Sequence, residues 1–168
     1  MTPRPGNQLF DAYFTAPDMR EIFSDRGRIQ GMLDFEAGLA RAEAAVGVIP
    51  AVVVAPIELA CQAERYDYAA LAEAIGIAGN SAIPLVKALG KVIASGVAEA
   101  ERYVHLGATS QDAMDTGLVL QLRDALALID GEVAHLADTL ARQASAHADT
   151  PLAGRTWDAV IDPSGYVP

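Results

Sequence analysis

The feature that most constrains the fold of this chain is an apolar repeat in its last third. Seven aliphatic residues follow one another at alternating steps of three and four, which is the spacing of a heptad seam. Residues 110–150 contain no proline and only two glycines, Gly117 and Gly131. One long helix is therefore predicted over about 110–147, and its seam consists of Val119, Leu122, Leu126, Ile129, Val133, Leu136 and Leu140.

A helix of this length is too long for the compact domain that such a chain forms alone. At about 1.5 Å per residue it would extend for roughly 57 Å. A compact chain of 168 residues has a diameter of roughly 40 Å. We therefore expect other helices to cover the seam, either from partner subunits or from sequence outside these residues. The alternative is a bent helix that folds back at Gly131.

The rest of the chain is also predicted to be helical, which makes the fold class all-α. Alanine, leucine, glutamate, arginine and glutamine are frequent, and these residues lose little side-chain freedom in a helix. Residues 158–168 continue no periodicity and are predicted to form an atypical, irregular tail.

Capping and turn residues place the shorter helices. Ser24 and Asp25 are suited to begin the first of them, whose apolar positions recur at steps of three and four. Further helices are predicted over 52–64, over 68–75 between a cap at Asp67 and a stop at Gly76, and from Pro84 to about Glu101. The apolar positions predicted for the first helix are Met32, Phe35, Leu39, Ala42 and Val46.

Charge and cysteine content narrow the class of protein. The formal net charge is −10, and a surface of that sign repels phosphate backbones, so no nucleic-acid partner is expected. No apolar run approaches the length of a membrane span, and no secretory signal is predicted. A single cysteine, Cys61, favours a cytoplasmic protein and is expected to be a core residue, not a nucleophile.

Polar side chains are densest where the long helix is predicted to begin. Thr109 and Asp112 have the spacing of a capping box, which explains those two residues by local structure alone. His105, Ser110 and Gln111 remain unexplained by it. A helix N-terminus flanked by hydroxyls, an amide and a histidine is also suited to bind a carboxylate. Both interpretations stay open. No set of residues has the spacing of metal ligands, so no metal is expected.

Several segments resemble the fumarase/aspartase superfamily. Residues 103–116 resemble its first signature region, and their His-x-Gly-x-Thr-Ser-x-Asp pattern is similar to the adenylosuccinate lyase branch. Residues 22–44 resemble the N-terminal helix of that branch. Residues 79–86 and 154–157 are similar to the bacterial cycloisomerases within it, which have Asn80 and Trp157 where the lyases have histidines.

The resemblance implies a domain division, a reaction and a set of site residues. Residues 1–108 are expected to form a small N-terminal helical domain and residues 109–157 the start of the central helical bundle. These cycloisomerases lactonise 3-carboxy-cis,cis-muconate to 4-carboxymuconolactone in aromatic catabolism, as homotetramers and without a metal or organic cofactor. The implied catalytic residues are His105 and Ser110. The implied substrate-binding residues are Thr109, Gln111, Asn80, Ser81 and Trp157.

The sequence also departs from the family. The family carries a Gly-Ser-Ser-x-Met-Pro-x-Lys-x-Asn type loop whose serine transfers the proton, and these 168 residues do not contain it. We therefore expect an N-terminal portion of a cycloisomerase that has no useful activity alone. Two alternatives remain. One is a β-eliminating lyase of the adenylosuccinate type, and the other is a non-catalytic helical module that associates with partners through the seam.

Overall fold

The computed structural model describes residues 13–151, 154–155 and 160–161. It divides into two units, residues 1–125 and residues 126–168, and each is described by itself below. Apart from one pair of two-residue strands, the regular structure of the described part is helical, so the all-α prediction is confirmed. The helices are α1 (Pro17–Ile22), α2 (Asp25–Ala45), α3 (Val54–Ala60), α4 (Tyr68–Ala78), α5 (Ala82–Ala94) and α6 (Ser110–Ala146). Three 3₁₀ turns span Ala51–Val53, Ala63–Arg65 and Ala98–Tyr103.

Helix α2 begins and ends where its capping residues predict. The Ser24 side chain accepts a hydrogen bond from the backbone N–H of Gly27 at 3.0 Å, which satisfies one of the free donors of the first turn. The helix ends at Ala45, and Gly47 follows in a left-handed conformation with φ of +79°.

The buried face of α2 is not the one that its apolar spacing predicts. Of the five predicted positions only Met32 is fully buried, and Val46 is 76% exposed. The helix is rotated so that it buries a glutamate and brings a glycine against α6. The residues it buries are Ile29, Gly31, Met32, Leu33, Glu36, Ala37 and Ala40.

The helix predicted over 52–64 is wrong in extent, because α3 covers only Val54–Ala60. A side chain from α2 explains the break. The amide of Gln30 donates to the carbonyl of Cys61 at 3.1 Å, and its oxygen accepts from the N–H of Ala63 at 2.9 Å. These two bonds satisfy backbone groups that an unbroken helix would otherwise pair.

Helices α4 and α5 also differ from the prediction at their ends. Asp67 caps α4 as expected, but the helix continues through Gly76 and ends at Gly79, whose φ is +62°. Helix α5 ends at Ala94 and not near Glu101. The chain after it forms the 3₁₀ turn that packs back on α5, where Glu101 lies 3.2 Å from the position that a Cβ on Gly90 would take.

The core of the first unit lies between α2, α3 and α5. Its largest fully buried side chains are Leu33, Ile57 and Leu89, one from each of these helices. The first turns of α6 pack on α2 through two glycines: a Cβ on Gly31 would lie 2.8 Å from the carbonyl oxygen of Gly117. This close approach fixes the start of α6 against the face of α2 that carries Glu36.

The second unit contains the rest of α6 and a short pair of strands. The long helix ends at Ala146, which confirms the predicted helix over about 110–147. All seven seam residues are exposed, from 44% at Leu122 to 61% at Val119. Gly154–Arg155 (β1) pairs antiparallel with Val160–Ile161 (β2). The tail was predicted to be irregular; its other residues lie outside the described part. None of the described helices is both long and apolar enough to cross a membrane.

Candidate active site

The candidate site begins in the turn that leads into α6. His105 has a left-handed conformation with φ of +57°, and Gly107 follows with φ of +71°. Such a conformation is uncommon for a residue with a side chain, although histidine tolerates it better than most. It costs on the order of 1 kcal/mol and persists only where the surroundings hold the residue in place. The turn reverses the chain so that the imidazole faces α2.

The capping box predicted at the start of α6 is present. Asp112 accepts hydrogen bonds from the backbone N–H of Thr109 at 2.7 Å and from its hydroxyl at 2.9 Å. The N–H of Asp112 in turn donates to the Thr109 hydroxyl oxygen at 3.3 Å. These bonds, from the Thr109 backbone first, hold the pKa of Asp112 below its ordinary value, and the nearby His105 contributes to the same shift. The Thr109 hydroxyl proton is therefore engaged within the protein.

The two residues between them have different surroundings. Gln111 donates its amide to Asp115 at 2.6 Å, one turn further along α6. Ser110 is the first residue of α6, is half-buried and is not a member of the capping box. It thus belongs to the first helical turn, whose free backbone N–H groups attract anions.

His105 contacts a carboxylate that the predicted site did not include. Its Nδ1 lies 2.6 Å from Oε1 of Glu36. Glu36 is only 3% exposed, and its Oε2 has no hydrogen-bond partner among the described residues. The ring of Phe35 packs edge-on against the imidazole, with 6.4 Å between ring centroids. The pair therefore joins the buried face of α2 to the turn before α6.

Burial and the contact with His105 shift the pKa of the Glu36 carboxyl in opposite directions. Desolvation is the larger effect and raises the pKa of the Glu36 carboxyl, while the hydrogen bond from His105 opposes that rise. The charge of Glu43, on the same helix, adds to the rise. The net effect is a Glu36 carboxyl whose pKa is raised above its ordinary value.

Of the two predicted residues between α4 and α5, Ser81 contacts the same face of α2 and Asn80 caps α5. The Asn80 side-chain oxygen accepts from the N–H of Ile83 at 3.0 Å and so caps α5, which leaves its amide N–H groups for other partners. The Ser81 hydroxyl lies 3.8 Å from the sulfur of Met32. Met32 and Glu36 are one helical turn apart on α2, so one helix face supports both groups. Trp157 lies outside the described residues.

Other reactive groups do not add to this site. Cys61 is buried, and desolvation raises the pKa of its thiol to about 12, which agrees with the prediction of a core residue. Within the part of the chain that the structure describes, no cluster of histidine, cysteine and carboxylate side chains is suited to hold a metal ion. A groove of 380 Å³ lies between α4 and α5 and is lined in part by Lys87 and Lys91. It does not include the residues at the start of α6.

Glu36 is the functional candidate that the sequence prediction missed. A signal for it was present, because Glu36 follows Met32 and Leu33 at steps of four and three and so shares their helix face. A glutamate on a buried helix face requires a partner. Apolar spacing alone does not identify such a position, because it predicts that Phe35 and Leu39 are the buried residues of the helix.

Several known proteins are similar to this chain in sequence and in fold. The chain is 80% identical over 151 residues to the 3-carboxy-cis,cis-muconate cycloisomerase of Pseudomonas putida, which covers 90% of this chain and 36% of that protein. It is 73% identical to the cycloisomerase of the same name from Pseudomonas aeruginosa over 157 residues, 94% of this chain and 34% of the relative. The crystal structure of 3-carboxy-cis,cis-muconate lactonizing enzyme from Pseudomonas putida superposes with a TM-score of 0.86 at 79% identity, over 90% of this chain and 34% of that one.

These matches confirm the resemblance predicted from the motifs. The chain spans about a third of the length of the curated relatives that it matches. The sequence profile of one family, described as lyase, matches residues 12–163 and thus most of the chain. The chain belongs to the lyase family.

Proposed function

We propose that this chain forms the N-terminal part of a cycloisomerase that lactonises 3-carboxy-cis,cis-muconate to 4-carboxymuconolactone. The observation that carries the proposal is the 80% identity over 151 residues to the Pseudomonas putida cycloisomerase. At that identity the residues that select a substrate are expected to be retained. The polar start of α6 supplies a chemical reason for a substrate with several carboxylates.

The proposed reaction is an isomerisation of the substrate acid; when the attacking carboxylate is ionised, one proton is taken up from water through the enzyme. One substrate carboxylate adds through oxygen to a carbon of a C=C bond, and the neighbouring carbon takes a proton. A C–O bond and a C–H bond form while one π bond is lost. Negative charge builds on the carboxylate attached to the carbon that is protonated. Hydrogen-bond donors aimed at that carboxylate therefore lower the barrier.

The start of α6 is suited to supply such donors. His105 and the hydroxyl of Ser110 are the proposed catalytic groups, assisted by the free N–H groups of the first helical turn. Thr109 is proposed to act through its place at the helix start, because its hydroxyl donates to Asp112. Asn80, Ser81 and Gln111 are proposed as polar substrate contacts. Trp157 is proposed, on the resemblance alone, as an apolar wall.

The domain division and assembly are part of the proposal. We assign 1–108 to an N-terminal domain and 109–157 to the beginning of a helical bundle. The seam on α6 is apolar and exposed, and burying such side chains contributes about 1.5–3 kcal/mol each. We propose a homotetramer in the cytoplasm. Neighbouring subunits would bury the seam side chains and complete the site. Alone, the 168 residues are expected to be inactive.

The proposal is tested by exchanging a segment of a known enzyme. A hybrid enzyme carries the 151-residue matching segment of this chain in place of the corresponding segment of the Pseudomonas putida cycloisomerase. We expect it to consume 3-carboxy-cis,cis-muconate at a rate within about tenfold of the parent enzyme, a difference of about 1.4 kcal/mol in the barrier.

The same assay separates the alternatives. Turnover of adenylosuccinate in place of carboxymuconate would support the β-eliminating lyase. A hybrid enzyme that folds and assembles but turns over neither substrate would support the association module and contradict the proposal. The unmodified parent enzyme is the control for assay and assembly.

A further inference from the structure

The buried pair formed by Glu36 and His105 has a consequence for the chemistry of the imidazole. We propose that Glu36 is a positioning residue that keeps a proton on Nε2 of His105, so that the ring presents a hydrogen-bond donor to a substrate carboxylate. The inference deepens the proposed function, since it assigns His105 the role of donor and not of base at the same site.

The first step of the argument is geometric. A distance of 2.6 Å between Nδ1 and Oε1 requires a proton between the two atoms. If the carboxyl is ionised, it only accepts, and Nδ1 carries the proton. If the carboxyl is protonated, it donates to the lone pair on Nδ1. The contact alone leaves both arrangements open.

The second step counts protons on the pair. When the pair has zero net charge, either a carboxylate faces an imidazolium or a carboxylic acid faces a neutral imidazole. In both arrangements Nε2 carries a proton. Only a pair with a net charge of −1 leaves a lone pair on Nε2. The state of Nε2 therefore depends on the net charge of the pair and not on which partner holds the shared proton.

The third step shows that a net negative pair is costly here. Glu36 is 3% exposed, and its Oε2 has no partner within the described part of the chain. An uncompensated buried carboxylate loses its hydration without replacement. A carboxylic acid or a carboxylate that faces an imidazolium avoids that loss.

The surrounding charges act in the same direction. The carboxyl of Glu43 on α2 raises the pKa of Glu36, and the carboxylate of Asp112 at the start of α6 lies close enough to feel the charge of His105. The Cys61 thiol, after α3, stays neutral because burial raises its pKa to about 12. Glu43 and Asp112 therefore disfavour a net negative charge on the pair, and among the described residues no cation other than His105 contributes to the pKa shift of Glu36.

The strained backbone of His105 shows that its side chain is firmly held. The left-handed conformation of His105 is strained and is retained only with support. The hydrogen bond to Glu36 and the edge-on contact with Phe35 supply that support. Glu36 thus fixes both the orientation of the ring and its proton.

The test is nuclear magnetic resonance on the 168-residue chain with ¹⁵N-labelled histidine. Long-range ¹H–¹⁵N spectra distinguish a protonated ring nitrogen from an unprotonated one. The chain has three histidines, so His135→Asn and His147→Asn identify the His105 signals by elimination. His135 and His147 are exposed and serve as internal controls for an imidazole without a buried carboxylate.

We expect the Nε2 signal of His105 at pH 8 to be that of a fully protonated ring nitrogen and to differ from the signals of the two exposed histidines. An unprotonated Nε2 under that condition overturns the inference. In Glu36→Met, which retains the chain length of the side chain, the His105 signals are expected to move to the averaged values of the controls. Unchanged His105 signals in a folded Glu36→Met protein would also overturn it.

The outcome is independent of catalysis. A protonated Nε2 together with a folded, assembled hybrid enzyme that does not lactonise 3-carboxy-cis,cis-muconate would contradict the proposed function and leave this inference standing. An unprotonated Nε2 together with lactonisation by the hybrid enzyme would overturn this inference and leave the proposed function standing.

Discussion

The two glycines where α2 crosses α6 provide the sharpest test of the packing. We predict that Gly31→Ala destabilises the first unit. The new Cβ would lie 2.8, 3.0 and 3.2 Å from the carbonyl oxygen, Cα and carbonyl carbon of Gly117. All three are backbone atoms, so no flexible side chain is able to move aside and the helices must separate.

The magnitude follows from two opposing effects. Forcing a methyl group into a filled contact costs about 1–3 kcal/mol, and rigid backbone neighbours place this case in the upper half of that range. Replacing a helical glycine by alanine stabilises the helix by about 1 kcal/mol. The free energy of unfolding is therefore expected to fall by about 1–2 kcal/mol.

A matched control uses the same substitution in open space. Gly76 lies inside α4, and a Cβ there would meet nothing within 4 Å. Gly76→Ala is expected to raise the free energy of unfolding by up to about 1 kcal/mol. Urea unfolding followed by circular dichroism, at one fixed protein concentration, measures both. If Gly31→Ala stabilises the chain as much as Gly76→Ala does, the close crossing of α2 and α6 is wrong.

Three further predictions concern the seam, the capping box and the cysteine. The chain is expected to self-associate, with a sedimentation coefficient that rises with concentration and a smaller rise in Leu126→Glu; a monomer at all concentrations would contradict this. Because the pKa of Asp112 is lowered in the folded state, its stabilising effect is present above its unfolded pKa and is lost as pH falls through the folded value. The stability difference between the native chain and Asp112→Asn should therefore shrink as pH falls below about 4, and a constant difference would refute the capping role. Cys61, with a thiol pKa raised to about 12, should react with iodoacetamide only after unfolding, as measured by mass spectrometry; rapid labelling of the native chain would contradict its burial.

Local signals predicted the ends of helices well where a single side chain decides them. Ser24 and Asp67 begin α2 and α4 as expected because each accepts hydrogen bonds from backbone N–H groups a few residues ahead. The start of α6 at Ser110 follows in the same way from Thr109 and Asp112. These contacts are short-range in sequence, so their spacing is sufficient to identify them.

Two of the misjudged features depend on partners that are distant in sequence. Gln30 ends α3 from another helix, and nothing near residue 61 indicates it. Helix α2 turns Glu36 inward because His105 receives it 69 positions later. The end of α4 was misjudged for a local reason: glycine inside a helix lowers stability but does not end the helix, so α4 continues past Gly76 and Gly79, with its positive φ, is the C-cap.

The residues of the candidate site also differ in whether the sequence could predict them. The capping box and the polar residues beside it were predictable from sequence. The carboxylate that orients His105 was not, because its role depends on how α2 rotates to meet the turn before α6. Asn80 and Ser81 were predicted as site residues through the resemblance, and the structure adds that Ser81 contacts Met32, which lies one helical turn from Glu36 on α2.

The central claim is that the start of α6 binds and stabilises an acid group of the substrate. Its most direct test is the kcat/KM for 3-carboxy-cis,cis-muconate of the hybrid enzyme carrying His105→Asn, with His135→Asn as the matched control. Asparagine accepts the left-handed backbone of residue 105, so the substitution removes the imidazole without adding strain.

Loss of one donor to a developing negative charge lowers turnover by about 10²–10³-fold. We therefore predict a fall of about 10²-fold or more for His105→Asn and no change for His135→Asn. Equal activity of the two variants would contradict the claim that the start of α6 is the site of the reaction.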